Sequence, residues 1–407
     1  MKRICILLIA VALAAGTVGC GLGGPEYDLT IASTAGGSVT TPGENTFSYH
    51  EGTVVDLDAE ANEGYQFGNW IGDVSTIVDT DDATTTITMN GDYSIMANFA
   101  LEIRDWHDLD AIRDNSGGTY LLMNNLNSTT LGYGELASPT ANEGKGWQPT
   151  GNTFGNDEFV GSFDGQSYEI RDLFISRPGE TCVGLFGVVG ETGVVENLGV
   201  VNSSVNGGIN VGGLVGANLG TVSNSYATGN MTASLTCCVG GLIGWTVGIV
   251  NNSYSTGTVT GDRCVGGLVG HNGGTDFAAT VDGSYSTGTV TGSEYVGGLV
   301  GFNTEGCTVS NSYSTSNVTG QDAVGGLVGY NHDGTVTDSF WDTETSEQPT
   351  SDGGTGKNTT EMQDITTFSG ASWSIVAVAN PSIRNISYTW NIVDDDTYPF
   401  LSWEPVS

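Results

Sequence analysis

Cysteines, aspartates and histidines carry what chemical potential this chain has, and their spacing decides how far it goes. Cys182, Cys238 and Cys264 each stand immediately before the valine of a recurring Val-Gly phrase, and Cys237 and Cys307 lie outside that column. Cys238 and Cys264 fall in successive copies of the phrase, so a disulfide between them is one expectation in an oxidising compartment. The other is a ladder of buried thiols, favoured because in-register stacking holds Cβ atoms farther apart than a relaxed disulfide prefers. No CxxC pair exists, so no structural zinc or other metal site is expected.

The catalytic patterns are incomplete. Polysaccharide hydrolysis needs two carboxylates about 5 to 9.5 Å apart, and elimination needs a base beside a charge-neutralising group. Asp262, Asp276, Asp282, Asp322, Asp333 and Asp338 are the candidates, but they share no column, and Arg263, His271 and His332 are their only basic partners. With His50 and His107 the histidines form no HExxH. The run GGTGKNT from Gly353 fails as a phosphate loop, because Ser351 stands where the first glycine belongs and Asn358 where a Ser or Thr is needed. No catalytic residue is assigned, and no cofactor beyond a Ca²⁺ that the acidic surface could attract.

The elements that would position these residues come from a phrase written six times. VGLFGVVGETGVVENLG begins at Val183, VGGLVGANLGTVSNSYATGN at Val211 and VGGLIGWTVGIVNNSYSTGT at Val239. Further copies begin at Val265, Val296 and Val324, so the starts are spaced by 28, 28, 26, 31 and 28 residues. That period belongs to solenoids. Glycines interrupt every few residues, no helical apolar pattern lasts two turns, and the short segments between are rich in Val, Thr, Tyr and Ser, as strands are. In TVSNSYATG, alternation predicts Val222, Asn224 and Tyr226 on one face and Thr221, Ser223 and Ser225 on the other. Aligned copies place Leu198, Tyr226, Tyr254, Tyr285, Tyr313 and Phe340 in one column, with Glu196, Asn224, Asn252, Gly283, Asn311 and Asp338 two residues earlier. Stacking coils would turn these columns into aromatic and amide ladders. A lone coil cannot bury its apolar face, so neighbours supply the stability and the ends need caps.

The GGL[VI]G core followed by NSYSTG resembles the GLUG repeat of bacterial surface proteins, also found in the non-catalytic part of some large immunoglobulin-cleaving metalloproteases. FVGSFDGQSYEIRDLFISRPGETCVGLFG, from Phe159, is similar to the segment that usually leads into such repeats. The resemblance implies an all-β chain whose main body is a right-handed parallel β-helix, or β-solenoid, with end caps. It implies no activity.

Ahead of the solenoid, Lys2, Arg3 and an apolar run from Ile4 to Ala15 have the layout of a secretory signal, and the run is too short to span a membrane. Thr17-Val18-Gly19-Cys20 resembles a bacterial lipobox, which implies cleavage before Cys20, lipidation of its sulfur and attachment to a membrane through acyl chains. The chain is therefore read as a signal peptide at 1–19, a lipidated tether at 20–26, a small β domain at 27–100, the N-terminal cap and first coils at 101–182, six repeats at 183–346 and a C-terminal cap at 347–407. In 27–100, the pairs Leu29 and Ile31, Val55 and Leu57, and Ile87 and Met89 alternate with turn residues, predicting four or five strands. GYQFGNWIGD and ITMNGDYSIMANF resemble the internalin-type B repeat, a β-grasp-like module, and the motif makes Tyr65, Phe67 and Trp70 core residues. Asp79, Asp81 and Asp82 lack EF-hand spacing and read as a solvated loop. Asp105 caps a short helix carrying Trp106, Leu109 and Ile112 over the open end of the solenoid, and aromatic strands near the C-terminus close the other edge.

Net charge is -36, no Lys or Arg occurs from Cys20 to Ile103, and Arg263 is the only one from Val183 to Ser346. Nucleic-acid binding needs a basic stripe and is excluded. What is expected is an exported, non-enzymatic lipoprotein at the cell surface or outer membrane of a bacterium. It would act as an adhesin or binding scaffold for an extracellular glycan or protein, contacted at the loops that break the period, with Asp276, Phe277, Asn303 and Glu305. A polysaccharide-degrading β-helix and a purely structural envelope stalk are the alternatives.

Overall fold

The computed structural model describes residues 24–151, 154–155, 157–235, 237–274 and 278–406. Cys20 and the signal segment, and Asp276 and Phe277, lie outside the described residues. The chain divides into two compact units, the first made of residues up to Glu63 and Phe67–Phe99, the second of Gly64–Gln66 and Ala100 onward.

Seven strands lie between Glu26 and Ile103, more than the four or five expected, because Gly37–Thr41 and Thr46–His50 are too short to show alternation in sequence. In the first unit Gly37–Thr41, Val54–Ala61 and Thr84–Thr88 form an antiparallel sheet. Leu29, Ile31, Val55, Leu57, Ile87 and Met89 are all buried, as their alternation requires. Trp70 is buried, donates its indole N–H to the carbonyl of Asp82 and packs on Phe67, so these aromatics are core; Tyr65 is half-buried. Asp79 and Asp82 accept backbone N–H groups of Asp81 and Thr84 within their own exposed loop.

The second unit is a three-sided parallel β-helix. One side runs from Thr119–Leu122 through Ser162–Asp164, Val194–Glu196, Thr221–Ser223, Ile249–Asn251, Thr280–Asp282 and Thr308–Ser310 to Thr335–Thr337. The second holds one strand per repeat, from Phe186–Val189 to Val328–Asn331, and the third contains the Tyr-Ser and Thr-Val-Thr strands. Register is residue on residue, with Val211 on Val239, Val239 on Val265 and Val265 on Val296. The lumen is a stack of Val and Leu, with Leu214, Leu242, Leu268, Leu299 and Leu327 all fully buried. The Gly-Gly of the five later phrases turns the chain between sides where backbones crowd. A Cβ on Gly267 would lie 2.0 Å from the carbonyl oxygen of Gly298 in the next coil.

The Asn corners alter the predicted faces. Asn197, Asn224, Asn252, Gly283, Asn311 and Asp338 all have φ between 45° and 56°, the left-handed conformation that Gly and Asn accept most readily. This turn breaks the alternation. Ser225 goes into the lumen side, fully buried, and Tyr226 points outward. The first member of the column is Asn197, not Glu196, and Gly199 rather than Leu198 pairs with Tyr226, because the first repeat reaches its corner one residue later than the alignment assumed.

The N-terminal cap is as predicted. Asp105 accepts from the backbone N–H of Asp108 at 3.0 Å in a capping box on the helix Trp106–Asp110, and Trp106, Leu109 and Ile112 are buried in the solenoid core. The far end differs. Residues 348–357 close the last coil, with Gly326 donating to Thr350 and the strand Thr355–Lys357 pairing with Phe340–Asp342. The aromatic C-terminal strands Trp390–Ile392 and Phe400–Leu401 instead lie along the flank, covering the outward tyrosines. Exposed rings stacked along five coils are an apolar face that must be covered, and this segment covers it.

Candidate functional site

Three ladders of polar side chains use up most of the chemistry the repeats offer. At the corner, the N–H of Ser225, Ser253 and Ser284 each donates to the hydroxyl of the serine one coil on, at 3.0–3.2 Å. Asn224 donates to Asn197 Oδ1 at 3.2 Å. On the second side, Asn272 donates to Asn303 Oδ1 and Asn303 to Asn331 Oδ1, both at 2.7 Å. Asn303 is thus a fully buried rung and not a ligand contact; only Glu305 of that pair is exposed at the turn tip. The inference from a broken period to a contact loop overlooked that the Asn ending each VGGLVGxN phrase sits inside the stack. Asp282 accepts from Ser310 and Asn311, and the exposed Asp262, Asp322, Asp333 and Asp338 are distributed over different strands and corners.

The cysteine column is real in space. Cys182, Asn210, Cys238, Cys264, Tyr295 and Ala323 all have φ between 48° and 58° and occupy one corner. Facing it is the column Val188, Ala217, Trp245, His271, Phe302 and Tyr330, the members paired in register. Tyr295 packs on Phe302 at 5.4 Å and stacks on Tyr330 at 4.9 Å, and Cys182 packs with Val188 and Ala217. Cys238 and Cys264 are free thiols, and with Cys237 their sulfur atoms all lie within 4.8 Å of one another. Cys237 joins because it precedes Cys238 in a turn whose backbone is pinned. The N–H of Cys237 donates to Leu235 and that of Cys238 to Arg263. Hydrogen bonds from Cys238 and Cys264 lower the pKa of Cys237, while hydrogen bonds with Cys237 and Cys264, and then burial, raise that of Cys238. Burial pushes the imidazole of His271 down to about 4, so it is neutral at neutral pH, and its ring stacks on Phe302 at 4.7 Å. His271 Nε2 is buried without a hydrogen-bond partner among the described residues. Sequence spacing held the signal: adjacent residues in one coil and a third cysteine one period later.

A cleft lies where the C-terminal segment meets the Asn corner. It measures about 380 Å³ and is lined by Asn224, Asn252, Ile386, Tyr388 and Trp403, among others. Tyr226, Tyr254, Tyr285 and Tyr313 stack on one another at 4.7–5.0 Å with interplanar angles of 2–9°. Trp403 packs on Tyr226 and Tyr254. Ile386 is 84% exposed and Tyr388 40%. Chemically the cleft's lining joins two rings, Tyr388 and Trp403, and the aliphatic Ile386 to the carboxamides of Asn224 and Asn252 and the hydroxyls of Ser374, Ser387, Thr389 and Ser402. Sequence reasoning missed it because it joins residues 151 positions apart.

Comparison with known proteins agrees with these two units. The chain carries a divergent InlB B-repeat domain at residues 27–103 and GLUG motifs at 207–232, 261–291 and 292–319. It is 32% identical over 205 residues to halomucin of Haloquadratum walsbyi, covering 49% of this chain and 2% of that protein. It is 39% identical over 84 residues to an Evansella cellulosilytica protein described as a Gly-rich membrane protein, covering 20% and 10%. The chain thus spans a small part of the curated relatives it matches. Among solved structures, a Bacteroides ovatus protein described as an immunoglobulin A1 protease superposes with a TM-score of 0.52 at 20% identity, over 75% of this chain and 93% of that one, and this likeness concerns the fold.

Proposed function

We propose that this chain is a cell-surface scaffold of adhesive kind, held at the membrane through a lipidated Cys20, which binds an extracellular glycan or protein without transforming it. The observation that carries the reading is the corner cleft, where exposed Tyr388 and Ile386 adjoin Trp403 and the amides of Asn224 and Asn252. Rings offer flat faces to sugar rings or apolar side chains, and carboxamides pair with hydroxyl or peptide groups. The names of the relatives support a place at the surface or membrane. The acidic surface argues against polyanionic ligands. The test is a glycan and matrix-protein array probed with the protein from Gly21 onward, with Ca²⁺ and with chelator, and with product analysis of each polysaccharide hit. Saturable binding without cleavage is the expected result. Cleavage would make the protein an enzyme, and silence on every ligand would leave a structural stalk.

A further inference from the structure

The geometry points to a binding site for a thiophilic d¹⁰ cation, with zinc as the fitting example, made by the thiols of Cys237, Cys238 and Cys264, with the imidazole of His271 nearby but outside their 4.8 Å cluster. Three sulfur atoms already lie within 4.8 Å of one another. Tetrahedral zinc with bonds of about 2.3 Å holds its sulfurs about 3.8 Å apart, so the thiols must close by roughly 1 Å at most. The sulfurs come from two stacked coils whose backbones are registered at Val239 and Val265, which fixes their approach before any ion arrives. A candidate fourth group stands on the facing column and would have to move toward the sulfurs. His271 lies one strand on from Cys264 in the same coil, interacts electrostatically with Cys237, and keeps a buried Nε2 without a partner among the described residues. An orphaned buried nitrogen costs free energy unless something binds it, and a soft cation satisfies a neutral imidazole and thiolates together.

Other columns of the same solenoid show what an ordinary corner looks like. At the homologous positions one coil later stands Tyr295, packed on Phe302 and stacked on Tyr330, and in the coil after that the corner residue is Ala323. Only in the coils of Cys238 and Cys264, among the described residues, do three metal-ligating side chains converge. Binding replaces S–H bonds with S–metal bonds and releases the thiol protons to solvent, so it strengthens as pH rises. No oxidant or reductant is involved.

The test uses the protein reduced, freed of metal and kept without oxygen. Titration with Co²⁺ should give a sulfur-to-metal charge-transfer band in the near ultraviolet and strong tetrahedral visible bands, saturating at one equivalent and abolished by Zn²⁺. Cys237→Ser and Cys264→Ser should each weaken zinc binding by more than the roughly 10- to 100-fold that loss of an outer-shell partner costs. His271→Phe, which keeps the stack on Phe302, should weaken binding and change the visible bands while leaving the charge-transfer band. Cys182→Ser, in the same column but outside the cluster, should change nothing. The proposal falls if no charge-transfer band develops, if the band survives in the Cys237→Ser, Cys264→Ser double variant, or if a disulfide among these three cysteines forms equally fast with and without one equivalent of zinc.

Discussion

The indole N–H of Trp403 donates to the backbone carbonyl of Asn252 at 3.0 Å, fastening the C-terminal segment to a corner of the solenoid 151 residues earlier. This contact makes one wall of the cleft part of the repeat array. Trp403→Phe keeps the ring but removes the donor, at a cost of about 1 kcal/mol. Limited proteolysis should then cut between residues 370 and 406 faster, while the far-ultraviolet signal of the solenoid stays as it was.

The serine ladder should be the more costly one to break. In Ser253→Ala the N–H of Ser225 loses its acceptor in a site closed to water, so a loss of about 1–3 kcal/mol is expected in denaturant unfolding. Thr258→Ala, on the exposed face of a neighbouring strand, should change stability by less than about 0.5 kcal/mol.

Gly267→Ala tests why the Gly-Gly pair recurs. Its Cβ would press on the backbone of the next coil, which cannot retreat without breaking register, so a marked fall in Tm is expected. Gly179→Ala meets nothing within 4 Å and should leave Tm unchanged.

Glu404 supplies a pH dependence. Burial raises its carboxyl from an ordinary 4.5 to about 7, against the backbone N–H of Leu401, which donates to it at 2.6 Å, and the hydroxyl of Tyr285, which lower it. Between those two values the folded chain holds more protons than the unfolded one, so this group's contribution falls as pH rises from about 4.5 to 7. Glu404→Gln should therefore gain stability relative to the parent at pH 8 and show little difference at pH 4.5, read from paired thermal melts. Equal differences at both pH values would contradict it.

What could be read in the chain was whatever repeats. Val211, Val239 and Val265 declared the period, and the period gave the coil, the tyrosine column and the cysteine column. Asp105 with Trp106, Leu109 and Ile112 was legible because capping and helical spacing are local. The outward turn at Asn224 was not, since strict alternation has no term for a left-handed residue, and that one turn moves Tyr226 from lumen to flank. Once the tyrosines face outward, the aromatic C-terminal strands must cover them and not the end of the coil. The cleft at Trp403 and the meeting of Cys237 with Cys264 depend on such long-range placement, and composition alone says nothing of it.

The central claim is that the corner cleft binds a ligand and leaves it unchanged. Its most direct measurement is the affinity of the parent, Tyr388→Ala and Ile386→Ser for the strongest array ligand, with thermal melts alongside. Both side chains are exposed, so the melts should coincide, and binding should weaken at least tenfold in each variant. Equal affinity in all three proteins, or turnover of the ligand by the parent, would contradict the account.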